Sequence, residues 1–267
     1  MLKSDLMLRA PSITYVGHAT VLVEMNGMRI LTDPVLRHRL GLLRHRKRVI
    51  APANYNNIDA VLISHVHLDH LDIPSLRLIE RDTLMIVPQG TWKLLHRRGI
   101  RNIIEMNIDD SLSIGSISVK STYAHHGGKR YPFGTQADSM GYIIGGDYRI
   151  YFAGDTDIFP GMENICEGLD IALLPIWGWG PKLSKGHMNP YTAARALMLL
   201  SPRFAIPIHW GTLHPLGMGW MNPRFLYEPP NDFIRYASRM APDVKIHVVQ
   251  PGSIVDISGD HLLDAST

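Results

Sequence analysis

Cysteine is almost absent from this chain, which has a single one, Cys166, among 267 residues. One thiol cannot form an intramolecular disulfide framework or a cysteine-rich zinc module, so any metal site must use histidine and carboxylate side chains. Such low cysteine usage fits a reducing compartment. No base lies beside Cys166 in the sequence, and we interpret it as a structural residue.

Long apolar runs are also absent. The first twelve residues contain no apolar stretch of the secretory-signal type, and no later run approaches the roughly 20 apolar residues that a membrane-spanning helix needs. Together with the cysteine content, these absences predict a cytoplasmic protein. The composition, 45% apolar and 19% charged, is typical of a globular protein.

The net charge of +3 arises in one short segment. Residues 37–48 contain six of the 27 lysines and arginines and no acidic residue, so the other 21 stand against 24 acidic residues. The overall charge therefore gives no reason to expect a nucleic-acid partner. Leucines are interleaved with the basic residues, so residues 36–48 can make a peripheral contact with an anionic membrane surface or attract an anionic substrate. A solvated surface loop is the simpler interpretation of such a charge run.

Apolar runs of strand length recur along the chain and alternate with helical patterns, without repeats, low-complexity segments or a long linker. We therefore treat residues 1–267 as a single domain. The Asn26-Gly27 pair predicts a tight hairpin between strands at 20–25 and 28–32. Helices are predicted over residues 73–80, 91–98, 190–200 and 232–240. Further strands are predicted at 13–16, 60–64, 84–87, 111–123, 140–144, 149–153, 171–176, 204–208 and 245–249. Two halves that each combine a sheet with outer helices predict an α/β fold, a four-layer αββα sandwich with its sheets face to face.

A histidine-rich segment follows the predicted strand at 60–64. His65 and His67 are two residues apart in extended chain, so their side chains leave the same side and can converge on one cation. Asp69 and His70 come after the strand ends and can address a second cation nearby. Three histidines and an aspartate within six residues are improbable as unrelated core or surface residues. Histidine and carboxylate ligands suit zinc, and also manganese or iron.

Other candidate ligands follow the ends of later strands. His125 and His126 follow the run that ends at Tyr123, Asp155 follows the strand at 149–153, and His209 follows the strand at 204–208. Strand ends are where α/β folds gather functional side chains. Each residue taken alone can be a turn or capping residue, but their shared position favours one common site.

These residues resemble a known family. The His65, His67, Asp69 and His70 pattern is the signature of the metallo-β-lactamase superfamily, and residues 153–156 resemble its later aspartate motif. Residues 17–20, 32–34, 186–190 and 207–212 are similar to motifs of a narrower branch. That branch contains the N-acyl-phosphatidylethanolamine-hydrolysing phospholipases D and the L-ascorbate-6-phosphate lactonases.

The resemblance implies two divalent transition-metal ions, with zinc the first expectation and manganese or iron the alternatives. It implies that His65, His67 and His126 hold one ion, that Asp69, His70 and His209 hold the other, and that Asp155 bridges them. The spacing between Ala124 and Arg130 resembles the branch pattern and selects His126 over its neighbour His125.

Supporting roles are implied for other residues. Asp69 also has a catalytic role, because it can accept a hydrogen bond from the attacking water. His187 matches a family histidine that contacts a phosphate or leaving group, whereas its alternative role is to cap the helix that begins at Pro190. His18 and Asp33 resemble residues that orient metal ligands through hydrogen bonds.

The resulting functional hypothesis is a hydrolase in which a metal-bridging hydroxide attacks a phosphodiester, phosphotriester, lactone or related ester, on a small-molecule or lipid-like substrate. One alternative is a metal-dependent nuclease whose residues 37–48 neutralise phosphates. That alternative is disfavoured because such nucleases usually carry an extra domain, for which this chain has no room. The other alternative is a non-catalytic binding protein on the same scaffold, which competent residues at all seven ligand positions argue against.

The substrate itself does not follow from the resemblance. Gly127, residues 140–142 and Leu213 differ from the phospholipase group at positions where specificity can be set. Four tryptophans are candidates for an apolar pocket wall or for the core, with the pocket role favoured for the first two: Trp177, Trp179, Trp210 and Trp220.

Overall fold

The structure is a computed structural model that describes residues 10–46, 51–130, 134–218, 223–255 and 257. Lys47, Arg48 and Trp220, which the sequence analysis singles out, lie outside the described residues. Within the described part of the chain, the strands form two seven-stranded sheets and one three-stranded sheet.

The first sheet is mixed. Its strands are β1 (Ser12–Gly17), β2 (Thr20–Met25), β3 (Met28–Thr32), β6 (Ala60–Leu62), β7 (Leu84–Pro88), β8 (Ile103–Met106) and β17 (Ser253–Val255). They lie in the order β17-β1-β2-β3-β6-β7-β8. β17 to β3 pair antiparallel, and β3 to β8 pair parallel. The hairpin predicted from Asn26 and Gly27 is confirmed, with positive φ angles of 53° and 77° at the two turn residues, as a tight hairpin turn requires.

The second sheet repeats this mixture. Its strands are β9 (Ser111–Ile114), β10 (Ile117–Tyr123), β11 (Met140–Gly145), β12 (Arg149–Phe152), β13 (Ile171–Pro175), β14 (Phe204–Ile208) and β16 (Lys245–Ile246). Their order is β16-β14-β13-β12-β11-β10-β9. The single strand predicted over 111–123 is instead two, because the chain turns at Gly115 with a φ of 54°.

The three-stranded sheet corrects an expectation about the basic segment. Its strands are β4 (Arg39–Leu40), β5 (Leu43–His45) and β15 (Leu213–Pro215), in the order β15-β5-β4. Leu40 and Leu43 pack with Val35 and Leu213 in a small apolar cluster. The interpretation of residues 37–48 as a solvated loop is therefore corrected for 39–45, which form a hairpin: Leu40 is buried, whereas Arg39, Leu42 and Arg44 stay exposed at the surface.

The helices agree with the sequence to different degrees. They are α1 (Ile73–Leu76), α2 (Trp92–His96), α3 (Pro190–Leu200) and α4 (Pro229–Met240). α3 has the predicted bounds, because Asn189 and Thr192 form a capping box and Pro190 occupies the first turn. α4 begins earlier than predicted, with Pro229 and Pro230 in its first turn. α1 and α2 are shorter than predicted, and single-turn helices offer little periodicity from which to place an end.

Alternating side chains of the first sheet divide between two apolar clusters. Val21 and Val23 face a central cluster shared with the second sheet, whereas Leu22 faces a separate cluster with Leu76 of α1 and Leu95 of α2. On the far side of the second sheet, α3 and α4 contribute buried residues to the central cluster, among them Leu197 and Phe233. The predicted four-layer αββα sandwich is thus confirmed.

Cys166 packs partly buried against the central cluster, in agreement with a structural role. Across the described ranges, no helix is long and apolar enough to span a membrane.

Candidate metal centre

Three histidines from two strand ends converge on one point. The ring nitrogens His65 Nε2 and His67 Nδ1 are 3.0 Å apart, and His126 Nε2 lies 3.1 Å from the same His67 atom. His65 is fully buried, and the other two rings are partly accessible. These three atoms form the first candidate group of metal ligands.

A second group lies beside the first and includes a residue from the start of the chain. Ligand atoms of His18, Asp69, His70 and His209 all lie within 4.8 Å of one another. His70 Nε2 is 3.2 Å from His209 Nε2, and His18 Nε2 is 3.0 Å from Asp69 Oδ2. This group contains the three residues that the sequence assigns to the second metal.

Asp155 lies between the two groups. Its Oδ1 atom is 3.1 Å from His209 Nε2, and its Oδ2 atom is 3.1 Å from His70 Nε2 and 3.9 Å from His65 Nε2. Asp155 directly follows the strand β12 and Gly154, whose φ of 61° turns the chain sharply there. One buried carboxylate thus contacts ligands of both groups.

The donor set fits metal ions. Two nitrogens at the usual zinc distance of about 2.0–2.1 Å and a tetrahedral angle lie roughly 3.3 Å apart, close to the separations of 3.0, 3.1 and 3.2 Å seen here. Asp155 Oδ1 is buried and has no hydrogen-bond partner among the described residues. A buried carboxylate oxygen without a donor is costly unless a cation meets it. Nitrogen and oxygen ligands without thiolate suit zinc, manganese or iron.

The protonation of four of the five proposed ligand imidazoles also suits ligation. Burial holds the pKa of His65 and His209 well below the usual value, and lowers that of His67 to about 4 with the adjacent His126 ring adding to the effect. Burial likewise lowers the pKa of His126. Only a neutral imidazole can bind a metal, so these rings need no deprotonation near neutral pH.

Asp155 and Asp69 stay ionised, because their pKa values lie well below the usual range, whereas burial raises the pKa of Asp33 behind them. Burial opposes ionisation of Asp155, but the imidazoles of His209, His70 and His187 outweigh it and hold the pKa of that carboxyl well below its usual range. Burial also lowers the pKa of His70, yet Asp155, Asp69 and Asp33 outweigh that effect and raise it well above the usual value. Asp155 and Asp69 therefore supply negative charge that a cation would balance, and His70 would lose its proton on binding one.

Asp33 orients two of the histidines from behind. Its Oδ2 atom accepts hydrogen bonds from His70 Nδ1 at 2.7 Å and from Ser64 Oγ at 2.5 Å, and Ser64 Oγ in turn lies 2.9 Å from His65 Nδ1. Both rings thereby direct Nε2 into the site. Carboxylates that hold the outer nitrogen of a metal-binding histidine are a recurrent feature of metal centres, which supports the sequence-based role of Asp33.

Backbone strain gathers at the same place. His18, Asp33 and His209 have φ angles of 57°, 33° and 61°, the left-handed region that non-glycine residues rarely adopt. The amide of His209 donates to the carbonyl of His18 at 2.7 Å, which ties two of them together. Such strain clusters at functional sites, where the surrounding structure enforces it.

The structure brings His126 into the site and leaves His125 outside it. The His125 ring is exposed and lies near the Tyr123 hydroxyl, 3.2 Å from Nδ1. Its main-chain carbonyl accepts a hydrogen bond from the Asp157 amide at 3.3 Å. Its position therefore agrees with the choice made from the Ala124 to Arg130 spacing.

His187 also lies in the site. Its Nε2 atom is 3.2 Å from Asp155 Oδ2, and its ring is 4.6 Å from that of His126. The alternative role as the cap of α3 is wrong, because the side chain of Asn189 accepts from the Tyr191 and Thr192 amides there.

The tryptophans differ in their surroundings. Trp210 is buried and stacks against Tyr15, so it belongs to the core. Trp177 is partly buried against the central cluster, and Trp179 is 42% exposed.

Arg130 is a supporting residue that the sequence analysis used only as a spacing marker. Its Nη1 atom donates to the carbonyls of Val66 at 2.8 Å and Leu71 at 3.0 Å. These carbonyls flank the segment that carries His67, Asp69 and His70, so Arg130 fixes the path of that segment. A contact across 59 or more positions leaves no local signal in a single sequence.

Comparisons with known proteins agree with this geometry. The pattern of the beta-lactamase superfamily domain matches residues 28–210. A UPF0173 metal-dependent hydrolase of Rubrobacter xylanophilus is 31% identical over 262 residues, which cover 92% of this chain and 96% of that protein. An N-acyl-phosphatidylethanolamine-hydrolyzing phospholipase D of Caenorhabditis elegans is 30% identical over 76% of this chain and 64% of its own length.

Among solved structures, Igni18, a metallo hydrolase of the archaeon Ignicoccus hospitalis, superposes with a TM-score of 0.70 at 26% identity, covering 92% of this chain and 97% of that one. The chain therefore belongs to the metallo-β-lactamase superfamily. Its relatives include both the UPF0173 metal-dependent hydrolases and the phospholipase D branch that the sequence motifs resemble.

Proposed function

We propose that this protein is a dinuclear metal-dependent hydrolase that acts on a phosphodiester, a phosphotriester, a lactone or a related ester. The observation that carries the proposal is the position of Asp155, whose two oxygens each lie 3.1 Å from a histidine of the second group while Oδ2 also faces His65 of the first at 3.9 Å. The metal-dependent hydrolases among its relatives support the same function.

The proposed ligands follow the two groups. His65, His67 and His126 would hold one ion and Asp69, His70 and His209 the other, with Asp155 placed to serve both. Zinc is the first candidate and manganese or iron the alternatives. Two divalent ions bound there would lower the pKa of a water molecule and stabilise the negative charge that develops on the ester oxygen.

The chain's own residues supply orientation and proton handling. His18 Nε2 lies 3.0 Å from Asp69 Oδ2 and fixes the carboxylate, so that Asp69 can accept a hydrogen bond from the attacking water. The His187 side chain is 14% exposed, its Nε2 atom lies 3.2 Å from Asp155 Oδ2, and its Nδ1 atom lies 3.2 Å from the carbonyl of Ser184. This contact directs Nε2 toward the site, where it can donate to the leaving-group oxygen.

The function is tested by metal content and turnover together. Protein purified with metal supplementation is expected to contain about two transition-metal ions per chain and to hydrolyse at least one of an aryl phosphodiester, an aryl phosphotriester and a lactone. Elemental analysis below half an equivalent per chain would contradict the dinuclear site. Two bound ions with no turnover on any substrate would instead favour the binding-protein alternative.

Removing the metal ions with a chelator tests whether they are needed for activity alone or also for folding. The central cluster joins both sheets and α3 and α4 without any metal ligand, so a chelated sample is expected to lose activity while keeping its far-UV circular dichroism. Parallel loss of both signals would show that the ions are part of the fold.

A further inference from the structure

One loop touches both groups of ligands. Residues 177–187 connect β13 to α3 and begin and end beside the metal centre. The carbonyl of Trp177 accepts from His209 Nδ1 at 2.8 Å, and the carbonyl of Gly186 accepts from His126 Nδ1 at 2.8 Å. His187, its last residue, lies 3.2 Å from Asp155 Oδ2. This loop therefore orients a histidine of each group and contacts the carboxylate between them.

The two ends of the loop are closely packed. Gly186 has a φ of 77°, and a Cβ atom there would lie 3.1 Å from both the His125 carbonyl oxygen and His126 Nδ1. Any other residue would be strained and would press on a ligand. At the other end, Trp177 Nε1 donates to the Gly180 carbonyl at 3.0 Å, and the indole packs against the central cluster.

The middle of the loop is open to solvent and carries positive charge. Lys182 and Lys185 are exposed, Trp179 is 42% exposed, and residues 177–187 contain no acidic residue. Neither lysine has an ion-pair partner within the part of the chain that the structure describes. The two charges are therefore available to an external anion.

The backbone of this loop lies next to the metal centre. The Lys185 carbonyl is 3.3 Å from His187 Nδ1, and Ser184 Oγ is 3.0 Å from the same atom, so the loop folds back onto His187. Gly178 also approaches the other group, since a Cβ on it would lie 4.0 Å from His209 Cε1. Lys182 and Lys185 are therefore carried by a loop whose backbone contacts His187 and approaches His209, and exposed charges act over roughly 10 Å at 0.1 M ionic strength.

We propose that residues 179–185 form the substrate-recognition surface and select an anionic ester with an aromatic or similarly flat apolar group. Lys182 and Lys185 pair with the anionic oxygens, and the Trp179 indole covers the apolar group, as exposed indoles do at binding sites. This inference rests on the proposed hydrolase function and names its substrate class.

The test measures binding as well as turnover. The probe is phenylphosphonate, an aryl anion without a hydrolysable ester, titrated by calorimetry into the metal-loaded protein. Replacing Lys182→Gln and Lys185→Gln together is expected to raise its Kd by about 3- to 30-fold, the scale of two exposed ion pairs. Lys93→Gln on α2, combined with Arg97→Gln at the end of that helix, removes the same charge from the opposite outer layer and is expected to leave the Kd unchanged.

Turnover provides the second arm. The lysine variant is expected to raise KM for an aryl phosphodiester while kcat, metal content and KM for a neutral aryl phosphotriester stay the same. Trp179→Ala is expected to raise KM for both aryl substrates but not for an aliphatic lactone.

Two results would overturn the inference: a Kd for phenylphosphonate that the lysine variant shares with wild type, or no measurable binding to wild type at all. The proposed function has a separate outcome. Tight, lysine-dependent binding of phenylphosphonate without hydrolysis of any ester would refute the proposed hydrolase function but support the anion-binding surface.

Discussion

The segment that carries His65 to His70 and the basic segment that begins at Arg37 both stand out in the sequence, yet the fold uses them in opposite ways. The first turns inward, with His65 and His70 fully buried and held by Ser64 and Asp33. The second forms an outer hairpin on which Arg39 and Arg44 are exposed and pair across the strands. Clustered titratable residues become a reactive centre only where burial and fixed partners constrain them.

Not every arginine of the basic segment is available for attraction. Arg37 makes a two-point contact with Asp72, with nitrogen to oxygen distances of 2.7 Å. Arg46 donates to the Gly211 carbonyl at 2.9 Å and lies over the Tyr227 ring. Arg37 and Arg46 stabilise the chain on either side of the hairpin. Only the exposed Arg39 and Arg44 are therefore available to attract anions.

The largest effect is expected for Asp69→Ala, because it removes a proposed ligand and the acceptor of the water hydrogen bond. We expect kcat to fall by about 10²–10⁴, measured on the best of the three esters, with the far-UV circular dichroism unchanged. Asp82→Ala, an exposed carboxylate beside β7, is the matched control. Near-full activity in Asp69→Ala would refute the mechanism, since no other carboxylate lies in that segment.

His126→Ala is expected to lower the metal content per chain and to reduce activity by a similar order, because its Nε2 atom completes the first group. His125→Ala is expected to do neither, since its exposed ring lies against Tyr123 and belongs to neither group of ligands. Elemental analysis of the two variants side by side makes the comparison. A damaging His125→Ala would move the ligand assignment by one residue and leave the dinuclear arrangement intact.

Smaller effects are expected in the basic segment. Arg39→Ser with Arg44→Ser should raise KM for an anionic ester by less than about threefold at low salt, the scale of exposed charge pairs, and leave a neutral lactone unaffected. Addition of 0.5 M salt should abolish the difference, because screening shortens the reach of exposed charges. Equal losses for both substrates would mean that the hairpin supports the pocket rather than attracting anions. Arg46→Ser serves as the contrast, because its contact with Gly211 is structural.

The smallest effect on turnover is expected at the hairpin tip, where Leu42 is 79% exposed and Leu216 lies beside it. If the peripheral membrane contact is made here, Leu42→Asp will reduce co-sedimentation with vesicles that contain anionic lipid while hydrolysis of soluble esters stays unchanged. Wild-type protein that fails to sediment with such vesicles would end the membrane hypothesis. Vesicles of neutral lipid alone separate charge from insertion.

The sequence predicts the parts of this molecule that local patterns determine. The Asn26-Gly27 turn, the capped start of α3 and the positions of candidate ligands at strand ends all have nearby signals, and the structure brings the seven proposed ligands together. Metal occupancy itself stays a prediction.

What escapes the sequence is long-range pairing. The strands β5, β15 and β17 have three residues each and pair with strands far away in the sequence, β5 with β15 and β17 with β1. The contacts of Arg130 are also long-range and could not be predicted from the sequence. Nor could those of the Trp177 and Gly186 carbonyls, because every residue has a carbonyl and its side chain does not indicate which histidine that carbonyl contacts.

That last property bears on how specificity can change. His209 and His126 are held by main-chain carbonyl oxygens of the 177–187 loop, those of Trp177 and Gly186. A carbonyl contact does not depend on the side chain at position 177. Position 186 is restricted to glycine by its φ angle and close packing. Residues 179–183 and 185 can therefore be randomised in a library while Ser184, whose hydroxyl lies 3.0 Å from His187 Nδ1, is kept, and variants with new substrate preferences should keep their metal. The sequence of this loop can therefore vary while the site that it borders stays fixed.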